Sequence, residues 1–341
     1  MIRAQQAIDP VVAAADELLG ARADKIEPVA GGRNSRVYRV EIGGKLFALK
    51  RYPSLADDPR DQLATEVEAL ALMAERQLAN VPRVIAVDRK RNFALLSWLD
   101  GVRITAVSDS DVDLAAAFLA IIHGMRGRAA AGFHRDAAEA CCSGAEVEAQ
   151  IRRRFSALHA HCDQEPDLAH FLSGSFTPLL EHLVNGAKSR MAAAGLDFAA
   201  TLPQEKRSLV PSDFGFHNSL RRTDGTLAFV DFEYFGWDDP VKLTADILHH
   251  PGTPMGPLQR DRFRSAALAI YGEDASFGAR LESLYPLFGL RWALILLNEF
   301  LPNRWRLRVA AGETESWAHA KTRQLARARA LVARTEEMAD G

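Results

Sequence analysis

The segment from residue 209 to 240 constrains the fold more than any other part of the chain, because it predicts a β-hairpin with polar side chains at its base. Asp224-Gly225 is typical of a two-residue type I′ turn, whose positive φ angles suit glycine and aspartate. Residues 218–222 and 227–232 flank this turn, and the second of these stretches is apolar and rich in strand-forming residues. The segment therefore predicts two short antiparallel strands.

The predicted hairpin brings several polar side chains together. A turn centred on residues 224 and 225 pairs Asn218 with Asp231, and directly opposed side chains lie about 5 Å apart at Cβ. Asp213 lies in the loop that leads into the hairpin. We therefore expect Asn218 and Asp231 to bind one cation. A register shift of one residue would place them on opposite faces.

The spacing of these polar residues is that of a kinase active site. An aspartate, an asparagine five residues later and an Asp-Phe-x sequence after a hairpin form the catalytic arrangement of the kinase fold. It assigns Asp213 to accept the proton of the acceptor hydroxyl. It assigns Asn218 and Asp231, with Glu233 as a further ligand, to a Mg²⁺ ion on the nucleotide phosphates. The alternative is an ordinary hairpin with scattered polar residues.

The first hundred residues predict a small antiparallel sheet of five strands. Alternation of apolar and polar residues and turn signals indicate strands that begin near residue 26 and at 37–40, 46–52, 81–87 and 92–98. Between the first two strands lies a glycine-rich loop with Gly31, Gly32, Asn34 and Ser35. Such a loop can fold over nucleotide phosphates, although a pair of glycines alone indicates only a turn.

Lys50 ends an apolar strand, where a kinase keeps the lysine that contacts the nucleotide phosphates. A helix is predicted from residue 61 to 77, with an apolar stripe at helical spacing. Glu66 lies beside that stripe and is favoured as the partner of Lys50, and Glu68 is the alternative. After the last strand, the backbone from Ser97 to Leu99 is predicted to face the adenine edge of the nucleotide.

The rest of the chain predicts a larger helical part. Helical patterns cover 112–125, 146–162, 166–193, 243–249, 256–271, 281–301 and 314–335. His249-His250 follows a helix end and is interpreted as a C-terminal cap. We therefore predict an α+β, protein-kinase-like fold of two lobes. Residues 1–98 form the small antiparallel β N-lobe and residues 99–341 form the helical C-lobe, with the nucleotide between them.

Composition excludes several other classes of protein. A formal net charge of −2 argues against a nucleic-acid-binding protein. The first twenty residues lack the continuous apolar stretch of a secretion signal, and the longest apolar runs are too short to span a membrane. The three cysteines indicate no disulfide framework. We expect a cytoplasmic protein without a membrane partner, and the oligomeric state is open.

Several of these motifs together resemble the aminoglycoside phosphotransferase and choline kinase superfamily. The similarity rests on the glycine loop at 31–38, the Val-Pro-Arg-Val sequence at 81–84, the catalytic loop at 212–218, the metal-binding sequence at 230–233 and the Asp-Ile segment at 244–247. The resemblance implies a small-molecule kinase that uses ATP or GTP with Mg²⁺, and Asp213 as the base. It also implies that Asp246 supports the catalytic loop.

One position departs from the family pattern. The family usually has a histidine two residues before the catalytic aspartate, whereas this chain has Pro211. That histidine braces the loop, so the difference bears on loop geometry more than on chemistry. A catalytically lapsed nucleotide-binding protein is the alternative of another class. Only a short segment separates Asp231 from the next predicted helix, which argues against a protein kinase.

The acceptor is the least determined part of the prediction. An aminoglycoside favours an acidic pocket, but the helices that follow the hairpin carry arginines such as Arg291 alongside glutamates. Choline or ethanolamine favours an aromatic cage, for which Tyr234, Trp237 and Trp292 are candidates. A neutral or anionic sugar, or a sugar-like alcohol, would use tryptophan stacking and arginine contacts and is the preferred acceptor. His217 has two open interpretations, a contact with phosphate or acceptor and a structural role in the loop.

Overall fold

The computed structural model of the chain describes residues 9–29, 35–55, 58–127, 132–253, 255–310 and 313–340. Its internal contacts divide the chain into two compact units. The first unit comprises the described residues up to Arg103 together with Asn218–Phe235, and the second comprises Ile104–His217 and the chain from Gly236 onward. The predicted boundary after residue 98 assigned the hairpin to the helical part, whereas here the hairpin packs with the first unit.

The described residues form ten strands and eleven α-helices. The strands are β1 (Lys25–Pro28), β2 (Arg36–Ile42), β3 (Lys45–Arg51), β4 (Val84–Asp88), β5 (Phe93–Ser97), β6 (Val102–Arg103), β7 (Ser208–Val210), β8 (Ser219–Arg221), β9 (Leu227–Phe229) and β10 (Gly236–Asp238). The helices are α1 (Pro10–Leu19), α2 (Gln62–Glu75), α3 (Asp109–Gly124), α4 (Gly144–His159), α5 (Pro166–Phe171), α6 (Thr177–Ala193), α7 (Pro240–His249), α8 (Pro257–Tyr271), α9 (Phe277–Leu296), α10 (Pro302–Ala310) and α11 (Trp317–Asp340). This is the α+β composition that the sequence predicts.

The first unit is built on a five-stranded antiparallel sheet with the order β1-β2-β3-β5-β4. Gly43 and Gly44 join β2 to β3 with φ angles of 54° and 72°, which glycine adopts at little cost. Alternation along β2 and β3 buries Val40 and Leu49 against the apolar face of α1. The predicted sheet is confirmed, and β3, which carries Lys50, lies in its middle.

Helix α2 is positioned by its N-cap and by its buried face. The Asp61 side chain accepts a hydrogen bond from the Ala64 backbone amide and so satisfies one of the free amides at the helix start. Leu63, Leu70 and Met73 are buried on the inner face, as the sequence predicts. Glu66 is 1% exposed on that same face, so an acidic side chain is held within the core of the first unit.

The hairpin in the first unit has a different register from the predicted one. β8 pairs with β9 so that Ser219 lies opposite Phe229, one residue away from the register that pairs Asn218 with Asp231. Neither polar residue lies in the ladder. Asn218 ends a 3-10 turn, and Asp231 follows β9 with a left-handed φ of 73°. Asn218 and Asp231 are therefore not cross-strand partners, and the predicted pairing is wrong.

The turn chemistry explains the shift in register. Among the described residues 222–226, only Gly225 has a positive φ, whereas a type I′ turn needs two. The Gly225 amide donates to the Arg222 carbonyl, and the Arg222 amide donates to the Thr226 carbonyl. These bonds define a three-residue loop with a bulge at glycine. The Asp224 carboxylate stabilises it by accepting hydrogen bonds from the Thr226 amide and hydroxyl at 2.9 and 2.7 Å.

The second unit is mainly helical and contains the larger core. Its centre is the 20-residue helix α9, which is buried along most of its length and packs against α4, α6, α7 and α11. Helix α3 begins after Ser108, which with Asp111 forms a reciprocal capping box. The predicted helix at 166–193 is instead α5 and α6 joined through a π-helical turn at Leu172–Phe176.

Among the described residues, no single helix has the length and apolar composition to cross a membrane. The segments Phe277–Phe300 and Pro302–Val309 meet these criteria only as a pair, which is bent by 71°.

Candidate active site

The first feature of the candidate site is a buried cluster around Lys50 in the first unit. Lys50 Nζ lies 2.5 Å from Glu66 Oε2, 2.6 Å from Asp231 Oδ1 and 3.0 Å from Glu233 Oε2. The Lys50, Glu66 and Glu233 side chains are each at most 5% exposed, whereas that of Asp231 is 32% exposed. One ammonium group therefore faces three carboxylates, one of which is open to solvent.

Hydrogen bonds to both carboxylate oxygens hold Glu66 in place. Oε2 accepts hydrogen bonds from Lys50 and from the Tyr52 hydroxyl at 2.8 Å, and Oε1 accepts one from the Phe232 backbone amide at 3.1 Å. The predicted ion pair between Lys50 and Glu66 is therefore present, and the alternative pair with Glu68 is not formed. The bond to Phe232 also ties helix α2 to the segment that carries Asp231 and Glu233.

The electrostatics of the cluster follow from burial and from its excess of acids. Burial alone would lower the pKa of Lys50, but the carboxylates of Asp231, Glu233 and Glu66 raise it well above its usual value. Lys50 is therefore charged. Burial raises the pKa of Glu233 from 4.5 to about 7, and the charges of Asp231 and Glu66 add to this rise while Lys50 opposes it.

The donor set of the cluster fits a hard divalent cation. Oxygen atoms of Glu66, Asp231 and Glu233 lie within 4.8 Å of one another, and carboxylate oxygens are the ligands that Mg²⁺ prefers. Three carboxylates against one ammonium leave an excess of negative charge that a cation would neutralise. The backbone of Asn218 lies close to the segment that carries Asp231, since the Asn218 carbonyl accepts a hydrogen bond from the Val230 amide at 3.0 Å.

Replacing Glu233 with glutamine is expected to change the pH dependence of stability. Since the folded pKa of Glu233 lies above 4.5, its stabilising contribution is complete below pH 4.5 and is lost as the pH rises through 7. Because glutamine does not ionise, the variant does not lose this stability as the pH rises. Its free energy of unfolding relative to wild type should therefore rise by about 1–3 kcal/mol between pH 4.5 and 8.

Urea unfolding in the presence of EDTA measures this difference at each pH. Glu75→Gln, at an exposed position of α2, serves as the matched control and should stay within about 0.5 kcal/mol of wild type. A pH-independent difference for Glu233→Gln would contradict a protonated, buried Glu233.

The second feature is an aspartate–histidine group in the second unit. His217 Nε2 lies 3.1 Å from Asp213 Oδ1. The His217 ring stacks on His250 with centroids 3.9 Å apart, and the edge of His250 meets Trp292 at 4.7 Å. The structure thus places His217 beside the candidate base. His250 caps the end of α7 as predicted, since its backbone amide donates to the Asp246 carbonyl at 2.8 Å, and its ring also lies in this stack.

The indole ring of Trp292 is held in place by a buried network of ion pairs. Its indole Nε1 donates to Asp246 Oδ1 at 2.8 Å, and Asp246 also pairs with Lys242 and Arg291 at 3.0 Å each. Burial would raise the pKa of Asp246, but the two cations hold it below its usual value. Arg291 is 4% exposed and also binds Gln150, so it is not the acceptor-facing arginine that the sequence suggests.

The loop before Asp213 is supported by a segment from the same unit. Ser212 has a left-handed φ of 66°, and its hydroxyl donates to the Ala138 carbonyl at 3.4 Å. Pro211, which stands where the family usually has histidine, follows β7, and β7 pairs with β10. Backbone pairing and the contact with Ala138 therefore hold the loop in this chain.

Other predicted site residues have different surroundings. Gly31, Gly32 and Asn34 lie outside the described residues, and Ser35 is buried just before β2. The Ser97 amide donates to the Arg83 carbonyl at 2.8 Å, so this amide is not free for adenine as predicted. Leu99 lies beyond the end of β5.

The three aromatic residues that the sequence suggests for the acceptor site lie in different surroundings. The Tyr234 hydroxyl accepts from Gln62 at 3.3 Å, and the Arg60 guanidinium lies 4.9 Å from its ring centre. Trp237 donates to the Phe133 carbonyl at 2.7 Å and lines a cavity of about 880 Å³ in the second unit. Trp292 contacts His250, as described above.

Two participants in these clusters were missed in the sequence. The sequence predicts His250 as a helix cap but gives no signal of its stack with His217, because the loop that carries His217 lies more than thirty residues earlier. Glu233 was predicted as a metal ligand, but not as a partner of Lys50. The Asp-Phe-Glu sequence could have indicated this, since Asp231 and Glu233 both face the same ammonium.

Comparison with solved structures places the chain in a known fold. It resembles choline kinase LicA from Streptococcus pneumoniae with a TM-score of 0.57 and 15% identity, over 94% of this chain and 96% of that one. It resembles ADP-bound aminoglycoside phosphotransferase APH(2'')-Ib with a TM-score of 0.55 and 15% identity, over 97% and 99%. Spectinomycin phosphotransferase APH(9)-Ia, in complex with ADP and spectinomycin, gives 0.57 and 12%, over 93% and 99%. These likenesses confirm the predicted kinase-like fold.

The family of the chain is decided by its sequence rather than by these structural likenesses. A comparison with curated proteins gives no match. The model of the family described as "Phosphotransferase enzyme family" matches residues 25–274, which is well over half of the chain and spans both Lys50 and Asp213. The predicted superfamily is thereby confirmed, and the chain belongs to the phosphotransferase enzyme family.

Proposed function

We propose that the protein transfers the γ-phosphate of ATP, or of GTP, to a hydroxyl group of a small molecule, and that this acceptor is a sugar or a sugar-like alcohol. The observation that carries the proposal is the cluster of one buried ammonium and three carboxylates around Lys50. Ammonium groups bind phosphates, and carboxylates bind Mg²⁺. The ADP in the solved structures of APH(2'')-Ib and APH(9)-Ia supports an adenine nucleotide as the donor.

The donor side of the reaction uses residues of the first unit. We assign Lys50 to the α and β phosphates, and Glu66 to hold Lys50 in position. Asn218, Asp231 and Glu233 are the residues that would hold Mg²⁺, which when bound neutralises phosphate charge. The glycine loop with Gly31, Gly32, Asn34 and Ser35 is proposed to contact the phosphates, and the backbone around Leu99 to contact the base.

The acceptor side uses Asp213 as the base. The acceptor oxygen forms a bond to the γ-phosphorus, while the bond from that phosphorus to the β–γ bridging oxygen breaks and the nucleoside diphosphate leaves with the electron pair. The hydroxyl proton passes to the Asp213 carboxylate. Phosphoryl transfer depends mainly on positioning and on charge neutralisation. His217 supports this assignment because its Nε2 holds Asp213 Oδ1 at 3.1 Å.

The groups around Asp213 favour an uncharged acceptor. A polycationic acceptor needs free carboxylates, but the nearby Asp246 is already bound to Lys242, Arg291 and Trp292. Arg291 is buried in the same network and is therefore not available to an anionic acceptor. The rings of His217, His250 and Trp292 can instead pack against the C–H face of a sugar and hydrogen-bond to its hydroxyls.

The proposal is tested by measuring ADP release from MgATP across a panel of acceptors. The panel contains neutral sugars and polyols, amino sugars, aminoglycosides, choline and ethanolamine, and GTP is tested as a second donor. We expect release that depends on a neutral sugar or polyol. Identification of the phosphorylated product by mass spectrometry distinguishes transfer to the acceptor from hydrolysis by water.

The assay distinguishes an incorrect acceptor class from an incorrect kinase assignment. Release with choline or an aminoglycoside, but not with sugars, would leave phosphoryl transfer intact and refute the acceptor class. Binding of MgATP without acceptor-dependent release across the whole panel would contradict the kinase assignment. It would favour the catalytically lapsed alternative, for which the Pro211 loop would be the first region to investigate.

A further inference from the structure

A basic cavity lies in the helical unit, apart from the residues assigned to phosphoryl transfer. It has a volume of about 390 Å³ and is bordered by helix α4, the end of α9 and the start of α10. Its apolar lining comes from Ala157, Leu158, Leu294 and Leu301. A cavity of this size, with apolar walls and a few polar groups, is typical of a site for a small molecule.

Three arginines and a single acidic residue line this cavity. The arginines are Arg153, Arg154 and Arg304, and the acid is Glu139. Glu139 Oε2 already accepts hydrogen bonds from Arg154 and, at 2.9 Å, from the buried Arg291. Its negative charge is therefore shared between two cations and does not neutralise the other arginines.

The positive charges of the other two arginines, Arg153 and Arg304, are not neutralised. Within the part of the chain that the structure describes, Arg153 and Arg304 have no carboxylate partner, and both are exposed at the rim of the cavity. Burial lowers the pKa of Arg154, and although Glu139 opposes this, the charges of Arg291 and Arg304 lower it further. The cavity therefore has an excess of positive charge, and its arginines repel one another.

We propose that this cavity binds a small phosphomonoester, with its phosphate between Arg153, Arg154 and Arg304 and its organic part against the leucines. Guanidinium groups bind phosphate through paired, charge-assisted hydrogen bonds. Asn298 also lines the cavity and offers a further donor. The apolar walls exclude inorganic phosphate as the best-fitting ligand, because its polar surface would leave them uncovered. This inference goes beyond the proposed function and does not depend on it.

Titration calorimetry with phenyl phosphate on the full chain tests the proposal. At pH 8 and low salt the probe is a dianion, since the second pKa of a phosphomonoester is about 6. We expect saturable binding that weakens with added salt and is absent for phenol. The double variant Arg153→Gln/Arg304→Gln should bind at least about 100-fold more weakly, roughly tenfold for each arginine removed.

A matched double variant controls for the change in net charge. Arg152→Gln/Arg306→Gln removes two arginines from the same helices, but neither residue lines the cavity. It should bind the probe like wild type, and thermal melting should show both double variants to be folded. The proposal is overturned if wild type shows no saturable binding at millimolar probe. It is also overturned if Arg153→Gln/Arg304→Gln retains binding, or if both double variants lose it equally.

Discussion

The Asp213→Asn variant is expected to lose about 10²–10⁴-fold in turnover while it binds MgATP as tightly as wild type. Asparagine keeps the size of the side chain, but its amide cannot accept the proton that the acceptor hydroxyl releases. The nucleotide is proposed to bind through Lys50 and Asp231, which belong to a separate cluster. The loss should therefore appear in the turnover number and not in the dissociation constant of the nucleotide.

Single-turnover product formation and a nucleotide titration measure these two quantities separately. Asp261→Asn, at an exposed position of α8 in the same unit, is the matched control and should leave both unchanged. Wild-type turnover in Asp213→Asn would refute Asp213 as the base. Weaker nucleotide binding in that variant would instead assign Asp213 to the donor site.

The Lys50→Met variant is expected to lose about 3–5 kcal/mol of folding free energy at pH 8, which is the usual cost of breaking a buried ion pair from one side. Methionine fills a similar volume but leaves the carboxylates of Glu66, Asp231 and Glu233 without a cation. The variant should also lose most of its affinity for MgATP, because the proposed phosphate contact is removed.

The pH dependence identifies the cause of this destabilisation. In wild type the charge of Lys50 lowers the pKa of Glu233, so without Lys50 this pKa rises further above its unfolded value, and the stability deficit should shrink as the pH falls from 8 toward 5. Lys45→Met, at an exposed position of the same strand, should be close to wild type throughout. A Lys50→Met deficit that does not change with pH would mean that lost packing, rather than unpaired charge, is responsible.

The sequence predicted the sheet and most of the helices because their signals are local. Gly43-Gly44 marks the turn between β2 and β3, and Ser108 marks the start of α3. Helix α10 was not predicted. It has only nine residues and a strongly polar composition, and a short polar segment is difficult to distinguish from a loop.

The hairpin register could not be predicted because Asp-Gly is compatible with more than one loop. A type I′ turn and a three-residue loop with a glycine bulge both place glycine at a left-handed position. The observed loop is stabilised by Asp224, whose carboxylate accepts hydrogen bonds from the Thr226 amide and hydroxyl. Such bonds between a side chain and a nearby backbone depend on geometry rather than on residue spacing.

The candidate site was predicted in its separate parts but not in its assembly. The pairing of Lys50 with Glu66 follows from strand and helix patterns. Its extension to Asp231 and Glu233 does not, because it depends on the left-handed backbone at Asp231. The stack of His217 on His250 depends in the same way on tertiary contacts.

The discontinuity of the first unit has a consequence for the order in which the protein folds. Asp231 lies 181 residues after Lys50, yet both belong to the same buried cluster. During synthesis the sheet and helix α2 leave the ribosome long before the strands β8 and β9 exist. At that stage Lys50 can pair with Glu66 only, and β6 has no partner strand.

Completion of the first unit therefore waits until about half of the second unit has been made. Contacts between residues so distant in sequence slow folding, because the entropy of closing the intervening loop is lost before the contact stabilises the chain. The five-stranded sheet has all of its strands by Ser97, but the first unit lacks β8 and β9 until residues 218–235 have been made. The nascent chain thus cannot assemble its proposed phosphate-binding cluster before the loop that carries Asp213 has also been synthesised.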